Sequence, residues 1–220
     1  MAKPFILVTF GEMDAGKTYN LEIIVNGTAR TKIVYNYGQK KDWEGYEPIE
    51  LVEDKGKLYF LHKKSRFLFE TAFMKKFKGK KVKIATCFDR KPLDLFYVQV
   101  AKMDSSVQYA FLVIDDATAV FENSLTRVEK TFISRCKHSD IKIALASHDP
   151  HYFPRQLWGL VTHVRLFRTT NPPPLSKKDI IPCFDALLEA WEVLQDAPKY
   201  SYYTLDVKQK ELTYTPYKQL

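Results

Sequence analysis

FILVTFGEMDAGKTYNLEII, residues 5–24, is the stretch whose reading decides this chain. Phe5 to Phe10 is apolar apart from Thr9 and rich in β-formers, the pattern of a buried strand. Gly11 to Thr18 then fits G-x-x-x-x-G-K-[ST] in full, and Tyr19 to Val25 reads as a helix. With a strand before and a helix behind, the spacing has a physical meaning. Gly11 and Gly16 let the backbone fold tightly around a phosphate, so that successive N–H groups and a helix N-terminus point at the anion. Gly11, Glu12, Met13, Asp14, Ala15, Gly16, Lys17, Thr18 and Tyr19 are therefore the candidate nucleotide-binding residues. Lys17 is expected to reach the β- and γ-phosphates of ATP, and the Thr18 hydroxyl to ligate Mg²⁺. The alternative, a chance glycine-rich turn before a helix, lacks a reason for the strand and the lysine.

A length of 220 residues is enough for a full α/β sheet with a sizeable core. No apolar run approaches the length of a membrane span, and Met-Ala-Lys-Pro at the start has no signal-peptide character. Cys87, Cys136 and Cys183 are far apart and odd in number, which fits neither a disulfide framework nor a metal site and points to a reducing, cytoplasmic setting. The formal charge of +8 points mildly to a polyanionic partner.

Outward from the phosphate loop, strand patterns recur at Thr31–Tyr37, Lys57–His62, Val82–Thr86, Tyr109–Ile114, Lys142–Ala146 and Gly159–Phe167. Helical spacing is read at Phe67–Phe77, Leu93–Lys102 and Glu122–Lys137, and Gly38 to Pro48 as a polar, turn-rich connection. Pro172-Pro173-Pro174 closes the core, because proline neither continues a helix nor pairs in a central strand. Beyond it, Asp179–Gln195 places Ile180, Phe184, Leu187, Leu188, Trp191 and Leu194 on one helical face. Tyr200–Val207 and Glu211–Tyr217 read as a hairpin. Strands alternating with helices predict an α/β fold with a mostly parallel central sheet flanked by helices, and the phosphate loop at its start makes it of the P-loop NTPase type. The expected division is a core at 1–171, with a basic insertion at about 38–83, and a C-terminal helix and hairpin at 172–220.

A P-loop enzyme needs a carboxylate at the end of a neighbouring strand to hold Mg²⁺, and Asp115, closing YAFLVI, is placed for it. Asp116 comes next, and either orients the attacking water or caps the next helix. Glu12 is the backup for the water-orienting role. A third strand, KIALA, ends in Ser147-His148-Asp149-Pro150, where His148 either faces the γ-phosphate or is structural. Lys63 to Lys83 carries nine basic residues against the single acid Glu70, suited to backbone contact with DNA but equally to a solvated face. Tyrosines of the C-terminal hairpin suit stacking on bases or half-buried strand positions.

The succession GEMDAGKT, FLVIDDA, IALASHDPHYFPRQLW and HVRLFRTTN resembles the HerA/FtsK superfamily of P-loop translocases, and its small viral genome-packaging ATPases most. The likeness runs over about residues 4–170. In that family a sensor glutamine closes a strand, and His148 stands in its place here. The resemblance also implies an arginine supplied by the neighbouring subunit. Arg135, on the helix before KIALA, is the first candidate and Arg127 the second; Arg165 or Arg168 could act within their own subunit. On the same grounds the chain is expected to be an ATPase that forms a homo-oligomeric ring of five or six subunits. It would move DNA into a capsid, docking at its portal vertex and working in the host cytoplasm. Three other readings of the phosphate loop are a filamentous-phage-type morphogenesis and export ATPase, a nucleotide or small-molecule kinase, and a non-catalytic NTP-binding switch or structural subunit. The first usually carries a membrane segment and the second an arginine-rich lid, and neither is visible.

Overall fold

The computed structural model describes residues 5–36, 43–85, 90–102, 110–121, 124–138 and 141–217. Tyr37, Gly38 to Asp42, Thr86, Cys87, Tyr109 and Glu122 lie outside them. In chain order the elements open with β1 (Ile6–Phe10), α1 (Lys17–Asn26), β2 (Thr31–Asn36), β3 (Glu47–Asp54), β4 (Lys57–His62) and β5 (Ser65–Leu68). They continue through α2 (Phe69–Phe77), β6 (Lys81–Ile84), α3 (Arg90–Lys102), β7 (Ala110–Asp115), α4 (Ala117–Val120) and α5 (Arg127–His138). They close with β8 (Lys142–Ser147), α6 (Arg155–Trp158), β9 (His163–Phe167), a 3-10 turn at Leu175–Lys177, α7 (Phe184–Asp196), β10 (Tyr202–Asp206) and β11 (Glu211–Thr215). The chain is mixed α/β, with mostly parallel strands flanked by helices, as the alternating pattern predicts. It groups into two compact units.

One unit comprises Phe5–Leu21, Asp116–Ser124 and Ala144–Leu220. Its strands run β11-β10-β9-β1-β8. β1 is buried along its whole length and pairs in parallel with β9, Val8 opposite Val164, which explains its unbroken apolar run. β10 adds antiparallel to β9, and β11 to β10, so the hairpin continues the sheet outward. Phe10 packs on Phe153 and Trp158, with ring centroids 5.3 and 5.2 Å apart. α7 buries Phe184, Leu187, Ala190 and Leu194, while Trp191 turns its indole N–H to the Thr169 carbonyl at 2.9 Å. The helix begins at Phe184 rather than Asp179, because the amides of Ile180 and Ile181 both donate to the Lys177 carbonyl in a separate turn.

The other unit comprises Glu22–Asp115 and Leu125–Ile143. Here β7-β2-β6-β3 are parallel, and β4 and β5 extend them antiparallel. β3 is a strand inside the segment expected to begin as a turn-rich connection: Glu47 to Ile49 pair with β6, and Glu50 to Asp54 with β4. Phe67 and Leu68 belong to β5 rather than to the helix, which starts at Phe69. Phe60, Phe69, Phe73 and Phe77 then form one buried aromatic cluster. α5 begins at Arg127, five residues later than its periodicity implies. The Thr126 amide donates to Glu129 Oε2 at 2.7 Å, and the Glu129 amide to Thr126 Oγ1 at 3.3 Å, a reciprocal cap that fixes the first turn. Among the described residues, no helix is long and apolar enough to cross a membrane. Cys136 is buried, and burial pushes its thiol up to about 12, too high for nucleophilic use near neutral pH.

Candidate nucleotide-binding site

The phosphate loop joins β1 to α1, and local contacts show why its residues suit the turn. Gly11 leaves no room for a side chain: a Cβ there would stand 2.9 Å from the Phe167 Cβ. Gly16 has φ +91°, a conformation that L side chains rarely adopt. The Gly11 amide donates to the Ser147 carbonyl at 3.3 Å and the Glu12 amide to the Arg168 carbonyl at 2.9 Å. These bonds tie the start of the loop to the ends of β8 and β9, so its remaining curvature falls on Met13 to Thr18. Asp14 takes a left-handed φ of 58°; it, Met13 and Tyr19 are exposed, while Ala15 is buried.

Lys17 is buried, and its ammonium donates to the carbonyls of Gly11 and Glu12 at 2.6 and 2.7 Å. Its Nζ also lies 3.3 Å from His148 Nδ1. An ammonium only donates, so His148 Nδ1 accepts, and the ring's proton sits on Nε2. That Nε2 lies 4.0 Å from Asp116 Oδ2. Three residues singled out in separate stretches of sequence thus form a line, Lys17–His148–Asp116. Asp116 stands at the N-cap of α4 with φ 62°, but its side chain makes no capping bond and instead accepts the Thr118 hydroxyl at 2.9 Å.

His148 borders two cavities of about 620 and 350 Å³. The larger is lined by Asp116, Thr118, Phe121 and Tyr152, the smaller by Glu12, Met13, Asp149, Thr170 and Asn171. The Glu12 carboxylate accepts the Thr170 hydroxyl at 3.0 Å, and Asp149 accepts the Asn171 amide at 2.6 Å. Of these neighbours, Asp149 is readable as a polar residue at the end of KIALA. Thr118, Tyr152, Thr170 and Asn171 carry no signal of their own in the sequence.

Asp115 closes β7 and is buried, and its Oδ2 accepts the Trp43 indole N–H at 3.1 Å. Arg127 and Arg135 lie eight residues apart on α5 with Thr131 midway, so the three share one helical face. Both arginines are exposed and border one groove of about 250 Å³ with Tyr97 and Phe132. Arg165 is bound within its own unit: it donates to Thr204 Oγ1 at 3.0 Å and to Asn20 Oδ1, and lies over the Tyr202 ring at 4.5 Å. Burial lowers its pKa. Arg168 is exposed.

The basic segment divides. Lys63, Lys64, Lys75, Lys78 and Lys80 are exposed. Arg66 is paired with Asp54 at 2.7 Å, and Lys76 lies 4.1 Å over the Phe67 ring. Lys81 stands in register with Lys32 on β2, whose pKa is lowered by burial and by the Lys81 charge.

The fold and the phosphate loop at the end of β1 are those of a P-loop NTPase. No protein-family profile matches the sequence, and no match is found among curated proteins. Among solved structures, the chain is similar to the genome-packaging NTPase B204 of Sulfolobus turreted icosahedral virus 2 in complex with ATP-gammaS. The TM-score is 0.66 at 14% identity, over 98% of this chain and 99% of that one. It is similar to B204, the DNA-packaging ATPase of Sulfolobus turreted icosahedral virus, with TM-score 0.65 at 15% identity over 99% and 100%. The N-terminal domain of zonular occludens toxin from Neisseria meningitidis matches at TM-score 0.52 and 9% identity over 99% and 96%.

Proposed function

We propose that this chain is an ATP-hydrolysing DNA translocase, a subunit of a ring that packages a viral genome in the host cytoplasm. The observation that carries this reading is the likeness to B204 over nearly the whole of both chains, on a fold that keeps the entire phosphate loop. In this reading the loop amides and Lys17 hold the triphosphate, and the Lys17 ammonium leaves the carbonyls of Gly11 and Glu12 for the β- and γ-phosphates. Thr18 and Asp115 bring a hydroxyl and a carboxylate, the hard oxygen donors that Mg²⁺ takes together with phosphate and water. When bound, that ion neutralises charge on the β- and γ-phosphates. Asp116 orients the attacking water, and His148, between Asp116 and Lys17, senses the γ-phosphate. Phosphate release measured with and without DNA tests the reading. Stimulation by DNA is expected; turnover that requires a small phosphate acceptor and ignores DNA would overturn it in favour of a kinase.

Asp116→Asn should keep ATP binding and lose hydrolysis by roughly 100-fold or more, the scale of a general-base contribution. Its carboxylate caps no backbone N–H, so the melting temperature should move little. Full turnover in Asp116→Asn, with Glu12→Gln inactive, would transfer the role to Glu12.

For DNA, the exposed lysines of the basic segment are the contacts proposed. Each phosphate contact removed should flatten the slope of log affinity against log salt by about 0.9 for duplex DNA. Lys75, Lys78 and Lys80 replaced by glutamine should therefore weaken binding to all sequences alike. A slope equal to that of the wild type would show this surface to be merely solvated.

A further inference from the structure

The phosphate loop accounts for the triphosphate of a nucleotide; its base needs a contact of its own. The Tyr200 ring lies against that loop. A Cβ built on Gly16 would stand 3.0 Å from Tyr200 Cδ1 and 3.8 Å from its Cε1, so the edge of the tyrosine ring rests on the residue preceding Lys17. Tyr200 and Gly16 belong to the same compact unit, although 184 positions separate them.

Three further observations set Tyr200 apart from an ordinary surface aromatic. Its backbone has φ 72°, in the left-handed region that a bulky side chain enters only under constraint. Such strain gathers at ligand clamps. The constraint comes from both sides: Ser201 is buried, with its amide on the Pro198 carbonyl at 3.1 Å, and Ser201 Oγ accepts the Tyr217 amide at 3.1 Å. Tyr200 stays 39% exposed despite its anchored backbone. Tyr217 stands beside it at 5.1 Å between centroids, also half-exposed, and the Lys199 ammonium lies 5.2 Å from the Tyr200 centroid.

We propose that Tyr200 is the stacking platform for the purine base of the bound nucleotide, with Tyr217 as a flanking ring and Lys199 as a donor to the base or ribose. The inference rests on the phosphate-loop reading and adds to it the part of the site that distinguishes a nucleotide from a bare polyphosphate. A ring buttressed by strained backbone is already positioned, so little side-chain freedom is lost when a base settles on it.

The test compares two probes by titration calorimetry in the presence of Mg²⁺: ATP, which carries a base, and inorganic tripolyphosphate, which does not. Tyr200→Asn removes the ring and keeps a residue that tolerates positive φ, so the turn survives. Its ATP affinity should fall roughly 5- to 150-fold, the range for loss of one base–aromatic stack, with tripolyphosphate affinity unchanged. Tyr200→Phe should bind both as the wild type does. An unchanged ATP affinity in Tyr200→Asn overturns the proposal, and so does an equal loss for both probes, which would mean that the ring only shapes the loop. A wild-type protein that binds neither probe would instead refute the phosphate-loop reading, and this inference with it.

Discussion

Lys17→Ala protein is expected to fold and to show no ATP turnover above background. Lys17 is buried and bonded to the Gly11 and Glu12 carbonyls, so its removal withdraws a charged donor from the loop itself. The buried Gly11 carbonyl losing that donor costs about 1–3 kcal/mol and the half-buried Glu12 carbonyl less, which lowers the melting temperature without unfolding a core built elsewhere on β1, β8 and β9. The effect on function is larger. Lys17 is the one side chain of the loop that can meet the β- and γ-phosphates as a full positive charge. Phosphate release and a thermal melt, read on the same preparation, check both parts. Turnover like the wild type's in a folded Lys17→Ala protein would sink the ATPase reading.

Arg135→Ala should be nearly as damaging, and in a way that mixing can repair. An arginine supplied to a neighbour's γ-phosphate is worth about 10³–10⁵ in rate. Arg135 is exposed on α5, on the same helical face as Arg127, a place from which a side chain can reach another copy of the chain. Lys17→Ala and Arg135→Ala proteins should each be inactive alone. In a mixed ring, some interfaces join an intact Lys17 to an intact Arg135, and part of the activity should return. Specific activity of the wild type should also rise with protein concentration. If mixed rings form and no activity returns, Arg135 does not act between subunits, and Arg127 becomes the residue to test.

The phosphate loop is readable because its chemistry is contiguous: the anion, the tight turn and the helix N-terminus are all served within Gly11 to Thr18. The buried strands β1, β7 and β8 are readable for a related reason, since strands covered on both faces need unbroken apolar runs. β3 escapes because Glu47, Pro48, Glu50, Glu53 and Asp54 dilute it, while only Ile49 and Leu51 turn to the core. Periodicity misplaces the start of α5 although Thr126-Arg-Val-Glu129 carries the capping pattern, because the cap and not the apolar spacing decides it. Within the site, His148 is legible by its place after a strand, but not its tautomer or its contact with Lys17. Those arise from packing between positions 131 residues apart. Trp43 on Asp115 and Tyr200 on Gly16 have no sequence signal at all, since neither lies in a pattern that announces a partner.

Arg165 ties β9 to Asn20 on α1 and to Thr204 on β10, with its guanidinium over Tyr202. The hairpin that closes the chain is therefore a lid on a cation as much as an extra pair of strands. Shortening the protein to end at the proline triplet would strip the guanidinium of Thr204 and Tyr202 and leave Asn20 to anchor it. Asn20 sits two residues past Thr18, so the loosened pin would be felt in the opening turn of α1, directly behind the phosphate loop. The tail is thus coupled through Asn20 to the phosphate loop, in addition to the core that α7 covers with Phe184, Leu187, Ala190 and Leu194.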